Sequence, residues 1–266
     1  MLKIGIIGCG AIGSELARAV STRFKDKAKL AYFSDIDPKH AQILKKKLKI
    51  SSRIVPLSEL VQKSDFIIEA ASQKAALQAV PLAIRMNKKI LVMSVGALLQ
   101  IPKLIQNNKK GILYIPSGAI AGLDALLAAK QEKITRVSIT TRKPLSSLKS
   151  APFFQNSKWA RKKITKPTVI FKGNAIQATK AFPQNINVAA ALSLAGIGPK
   201  KTRVQIVASP TYTRNTHEVE FVGSFGRVKT IAENVPSRRN PKTSALAIAS
   251  AIACLEKILS PIKIGT

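Results

Sequence analysis

Apolar positions follow two regimes along the chain. Through the first 116 residues, short unbroken apolar runs alternate with segments of helical periodicity. Leu2 to Ile7 suits a strand covered on both faces, Ala11 to Arg23 a helix, and Lys29 to Ser34 a second strand. Asp37 and Pro38 offer a cap and a first-turn proline for a helix reaching about Leu48. Arg53 to Val55 gives a short third strand, Ser58 to Gln62 a helical turn, and Asp65 to Ala70 a fourth strand. A helix from Gln73 to Met86 follows, with Pro81 as a point of kinking. Ile90 to Ser94 and Gly111 to Ile115 are further strands, with a helix from Pro102 to Asn108 between them. This alternation predicts an α/β fold built on a doubly wound parallel sheet.

After Pro116 the pattern changes. Ser117 to Ala125 is small and glycine-containing and runs into a helix ending near Lys130. Ile134 to Thr141 alternates like a half-buried strand and is ended by Arg142-Lys143-Pro144. Residues from Ser146 to Lys166 are polar and irregular, anchored by Phe153, Phe154 and Trp159. Thr168 to Lys172 is a strand, Asn174 to Phe182 a helix, and Asn185 to Leu194 a second helix ended by Gly196 and Gly198. Thr202–Ala208, His217–Gly223 and Arg227–Ala232 predict three strands in antiparallel succession, with Gly223 to Gly226 as a hairpin turn. Asn240 and Pro241 open a last helix to about Leu259, apolar nearly all round and so expected to be buried. The expected division is therefore 1–116, an α+β domain with a mixed or antiparallel sheet at 117–239, and a helix at 240–266 returning to the first domain.

Chemistry enters at the first strand–helix junction. Gly8, Gly10 and Gly13 form Gly-x-Gly-x-x-Gly between strand and helix, with Ala11 and Ile12 opening the helix. In such a loop the first glycine allows the turn, the second lets backbone approach a pyrophosphate, and the third packs helix on strand. Asp35, at the end of the second strand and about 20 residues past the last glycine, is placed to accept from adenosine ribose hydroxyls. It would repel a 2′-phosphate, so NAD is favoured over NADP. These features predict a Rossmann dinucleotide-binding half.

Composition narrows the partners. The chain has 266 residues, 44 Lys and Arg against 13 Asp and Glu, and a formal net charge of +31. Basic runs such as Lys45-Lys46-Lys47 and Arg161-Lys162-Lys163 lack interleaved aromatics, so a solvated surface with at most non-specific nucleic-acid binding is expected. The longest apolar run, Ala245 to Leu255, is too short to span a bilayer, and the start of the chain has no signal-peptide character. A cytoplasmic protein is expected. Cys9 and Cys254 do not suggest a disulfide, and with two histidines no metal site is expected. His40 lies on a polar helix. His217 opens a strand in the second half, either as an edge residue or as a group that exchanges protons.

With these residues placed, the chain resembles the L-aspartate dehydrogenases over essentially its full length. The resemblance rests on Gly8-Cys-Gly-Ala-Ile-Gly13, Ser117-Gly-Ala-Ile-Ala-Gly-Leu-Asp124, Thr140-Thr-Arg-Lys-Pro144, Phe182-Pro-Gln-Asn-Ile-Asn-Val-Ala-Ala190 and Asn215-Thr-His217. It implies oxidation of L-aspartate with NAD or NADP to iminoaspartate, which hydrolyses to oxaloacetate and ammonia or feeds quinolinate and NAD synthesis. It further implies that Ala121 and Asn187 contact NAD, that His217 is the catalytic histidine, and that the protein is a homodimer. Arg142 and Lys143 are the candidates for holding substrate carboxylates, with a solvated strand end as their alternative use. A related homoserine or amino-acid dehydrogenase, a non-catalytic NAD sensor and a basic nucleic-acid-binding protein remain as rival readings.

Overall fold

The structure, a computed structural model, describes residues 1–183, 186–237, 240 and 243–265. The chain divides into two compact units, one of residues 1–116 and 248–263, the other of 117–247 and 264–266. In the first, strands β1 (Leu2–Ile7), β2 (Ala28–Ser34), β3 (Arg53–Ile54), β4 (Phe66–Glu69), β5 (Lys89–Val92) and β6 (Ile112–Tyr114) alternate with helices α1 (Ala11–Thr22), α2 (Pro38–Leu48), α3 (Leu57–Lys63), α4 (Gln73–Arg85) and α5 (Pro102–Gln106). All strands pair in parallel in the order β3-β2-β1-β4-β5-β6. This is the doubly wound dinucleotide-binding order, and its reversal point falls between β1 and β4.

Local chemistry explains the element ends. Asp37 caps α2 by accepting from the Lys39 N–H, with Pro38 at the first helical position. Ser72 caps α4 by accepting from the Ala75 N–H. Helix α4 runs through Pro81 as one element. Ile4, Ile6, Phe66, Ile67, Ile68, Ile90 and Leu91 are fully buried, as strands covered on both faces require.

The second unit holds α6 (Leu123–Ala129), β7 (Ile134–Pro144), α7 (Pro152–Gln155), β8 (Thr168–Asn174), α8 (Ala175–Ala181), α9 (Asn187–Ala195), β9 (Arg203–Ser209), β10 (Asn215–Gly223) and β11 (Gly226–Asn234). Their mixed sheet has the order β11-β10-β7-β9-β8. The hairpin forms as expected, with Gly223 paired to Gly226. The expected antiparallel run of three strands does not. β9 pairs in parallel with β7 and antiparallel with β8, while β7 separates it from β10. Strand β7 also continues through Arg142 and Lys143 to Pro144 instead of ending at Thr141, because β10 supplies ladder partners as far as Arg142 and β9 as far as Pro144. Between Leu145 and Ala160 the polar segment forms short helical turns around buried Leu148 and Phe154.

The last helix, α10, spans Ala245–Leu259. The expected opening at Pro241 lies outside the described residues, as does Asn185 in the segment ahead of α9. Burial of α10 is one-sided: Ile248, Ala251 and Leu255 are buried, and Ala251 and Leu255 join the core formed by β1, α1 and β2, whereas Leu246 stays 44% exposed. Among the described residues no helix is long and apolar enough to cross a membrane.

Candidate active site

In the first unit the glycine loop is shaped by steric exclusion. Gly8 has φ +92°, and a Cβ there would lie 2.7 Å from the Ala70 carbonyl oxygen. A Cβ on Gly13 would lie 1.9 Å from the Gly8 carbonyl oxygen, so the third glycine is what lets α1 sit directly on the turn. At Gly10 a Cβ would meet nothing, so backbone there faces open space. No side chain caps α1, and its first turn carries no acidic residue. Uncapped N–H groups at a helix N-terminus beside an open glycine fit a pyrophosphate, and Ala11 and Ile12 lie in that first turn.

Asp35 frames the same loop. Its Oδ2 accepts from the Cys9 N–H at 2.6 Å and its Oδ1 from the Asp37 N–H at 3.0 Å, with His40 Nδ1 at 3.5 Å. Burial and the Asp35 charge push the Cys9 thiol up to about 12, so it is no nucleophile. Both cysteines are free thiols.

A residue given no role from sequence also holds this edge of the sheet. Glu69, fully buried at the end of β4, accepts from the Ala71 N–H and the Ser94 hydroxyl through Oε1 and from the Ser94 N–H through Oε2, each at 2.9 Å. Burial raises its pKa, while these donors and the Ser72 N–H oppose the shift. The carboxylate thus ties the loop against which Gly8 packs to the end of β5. Its signal was a lone charge in the otherwise apolar stretch Phe66-Ile-Ile-Glu69.

In the second unit, strand alternation sorts the chemistry by face. Val137, Ile139, Thr141 and Lys143 lie on the buried face of β7, beside Val219, Phe221 and His217 of β10. His217 is directly opposite Thr141, and their Nδ1 and Oγ1 atoms share a hydrogen bond of 2.9 Å. His217, Thr141 and Lys143 are 5%, 5% and 6% exposed. Burial, reinforced by the Lys143 charge, lowers the His217 pKa to about 3, so the ring is neutral. Burial alone brings Lys143 down to about 8.

Arg142 points the other way. On the opposite face it pairs with Glu218 at 3.1 Å, and Glu218 also holds Lys229 at 2.9 Å. The two expected carboxylate holders are therefore separated by the sheet, and only Lys143 shares a face with His217. Arg142 is engaged in a surface ion-pair network.

The segment carrying Ala121 lies on the His217 face. The Ala121 carbonyl accepts from Thr230 Oγ1 at 3.0 Å, and the Ala119 carbonyl accepts from Asn234 Nδ2 at 3.0 Å, both donors coming from β11. Asn187 is the first residue of α9, and its neighbour Val188 lies 3.5 Å from where a Gly118 Cβ would be. The fold thus gathers these segments within one unit. Asn234 was not anticipated, since nothing in its local sequence marks it. Among the described residues, no cluster of His, Cys, Asp and Glu could hold a metal ion.

Comparison with known proteins fits both units. A family model described as homoserine dehydrogenase, NAD binding domain, matches residues 8–115, and one described as aspartate dehydrogenase, C-terminal, matches 124–258. The chain is 45% identical to an L-aspartate dehydrogenase of Methanocella arvoryzae and 46% identical to one of Nitrosopumilus maritimus, over the full length of each pair. The chain belongs to the L-aspartate dehydrogenase family. An aspartate dehydrogenase structure from Thermotoga maritima shares the fold, with TM-score 0.72 at 24% identity and complete coverage of both chains. A scyllo-inositol dehydrogenase from Lactobacillus casei, solved with NAD(H), also shares it, with TM-score 0.54 at 15% identity over 100% of this chain and 91% of that one.

The Asp35 geometry generates a cofactor test. The unaltered enzyme should show higher kcat/KM with NAD than with NADP, and Asp35→Ser should narrow that gap by removing charge repulsion of the 2′-phosphate. Steady-state kinetics with both dinucleotides measure the ratio, and a native preference for NADP would remove Asp35 from the ribose site.

Proposed function

We propose that this enzyme oxidises L-aspartate to iminoaspartate, which hydrolyses to oxaloacetate and ammonia. The observation that carries the reading is the buried pair of a cationic Lys143 and a neutral His217 on one face of the second sheet. An amino acid with two carboxylates needs a cation for at least one of them, and imine formation and hydrolysis need a group that exchanges protons near neutral pH. A bound nicotinamide would supply the acceptor for the hydride that leaves the substrate Cα. The residues assigned to the dinucleotide are Gly8, Gly10, Ala11, Ile12, Gly13 and Asp35 in the first unit, with Ala121 and Asn187 in the second.

His217 handles the proton exchange. Its ring is neutral, with one N–H and one bare nitrogen. Lys143 holds a substrate carboxylate, and its low-dielectric setting strengthens that attraction relative to an exposed lysine. His217→Ala should lower kcat by roughly 10²–10⁴-fold, the size of a general acid–base contribution, with little change in NADH affinity. NADH absorbance under saturating aspartate, with homoserine and other amino acids as alternative substrates, measures turnover. Folded His217→Ala protein with near-normal rates would end the assignment.

Lys143 gives the reaction a pH signature. Its charge is present below about pH 8 and lost above it. KM for aspartate should therefore rise as pH increases through that value, while His217 stays neutral throughout. In Lys143→Met, KM should be high at every pH and that limb should vanish. An unaltered KM profile would count against this role.

The outer face of the second sheet supports a homodimer. Its side chains stay accessible: Ile231 is 58% and Val169 37% exposed, interspersed with the Arg136–Glu220–Arg227 ion pairs. Apolar residues among satisfied charges on a broad sheet face suit a self-complementary contact. Sedimentation equilibrium should give twice the 28.6 kDa chain mass, and Ile231→Glu should shift it toward the monomer.

A further inference from the structure

The hydrogen bond between Thr141 and His217 carries information beyond ring placement, because each partner has a limited set of protons. A threonine hydroxyl has one proton to donate, and a neutral imidazole has one N–H and one bare nitrogen. Among the described residues, the Thr141 hydroxyl has no hydrogen-bond partner other than His217 Nδ1. Thr141 is 5% exposed, so water does not offer an easy substitute. If Nδ1 carried the ring proton and donated it to Oγ1, the hydroxyl proton would be left buried without an acceptor. Folded proteins avoid that arrangement. If the hydroxyl donates to Nδ1, both groups are satisfied, and the ring proton must sit on Nε2.

We propose that Thr141 is a positioning residue that fixes His217 as the Nε2–H tautomer, so that the ring first meets substrate as a hydrogen-bond donor. This inference rests on the reading of His217 as the proton-exchanging group. The donor form sits on the same buried face as Lys143, so that face presents an ammonium and an N–H together. Two donors of this kind suit the oxygens of a carboxylate or of a 2-oxo acid. Sequence alone gave Thr141 no role, although it lies inside the Thr140-Thr-Arg-Lys-Pro144 motif.

Imidazole ¹⁵N chemical shifts report the tautomer directly. With two histidines in the chain, His40→Gln protein leaves His217 as the single signal. That signal should show a protonated Nε2 and a bare Nδ1 between pH 6 and 8. Thr141→Val, equal in shape but without the hydroxyl, should lose the tautomer preference. It should also lower kcat by roughly 10–100-fold, as removal of a ring-orienting partner does, with unaltered NADH affinity. Thr141→Ser keeps the hydroxyl and should restore both the shift and the rate. A protonated Nδ1 in the native protein, or a Thr141→Val enzyme with native rate and native shifts, would overturn the assignment. If His217→Ala retains turnover, the underlying reading fails. If His217→Ala is inactive while Thr141→Val is native in both respects, only the role of Thr141 fails.

Discussion

An ammonium group held out of water beside an uncharged imidazole is the constraint around which the second unit is arranged. Neither group would be placed there for stability, since burying the charge of Lys143 is unfavourable and a buried histidine must satisfy its ring nitrogens. The period of two along β7 makes the arrangement possible. It sends Thr141 and Lys143 inward and Arg142 outward, where Glu218 neutralises it. Apolar neighbours such as Ile139, Val219 and Phe221 keep the inner face dry. Dryness keeps the ring neutral and the ammonium responsive to an anion, so packing and chemistry have one cause.

The first unit uses negative charge in the complementary way. Asp35 and Glu69 both accept from backbone N–H groups at the carboxyl edge of the sheet, one at the glycine turn and the other across the ends of β4 and β5. Carboxylates are suited to this because each oxygen accepts more than one donor, so one side chain can fix several loop segments. Loops over a parallel sheet have few ladder partners of their own, and these two residues supply the missing acceptors. The open space at Gly10 and the uncapped start of α1 are left between them.

Much of this was legible from residues in order. The strand–Gly-x-Gly-x-x-Gly–helix junction and Asp35 follow from local steric and electrostatic rules, and the parallel sheet follows from the apolar runs. What escaped was long-range. Adjacent strand signals at 202–208 and 217–223 read as neighbours, yet β7 lies between them. Strand periodicity implied that Arg142 and Lys143 face opposite ways, but a strand end at Thr141 concealed it. Only the β10 and β9 ladders show that β7 persists through both residues. Thr141 and Asn234 had no local signature, and Glu69 showed only as a lone charge in an apolar stretch, because the contacts of each are made with partners remote in sequence or through burial that only the fold creates. His217 was visible as one of two histidines, while its neutrality and its hydroxyl partner were not.

The central place of β7 also bears on how the chain folds. The hairpin of β10 and β11 closes over a two-residue turn, a local event of the microsecond class. Thr141 and His217 are 76 residues apart, and bringing them together closes a long loop before any inner-face contact repays the lost chain entropy. The parallel pairing of β7 with β9 adds a second non-local closure. Topologies weighted toward such contacts fold slowly. The Thr141–His217 contact thus carries a larger closure cost than the hairpin beside it, and the inner face of the sheet depends on pairings that no local segment can make by itself.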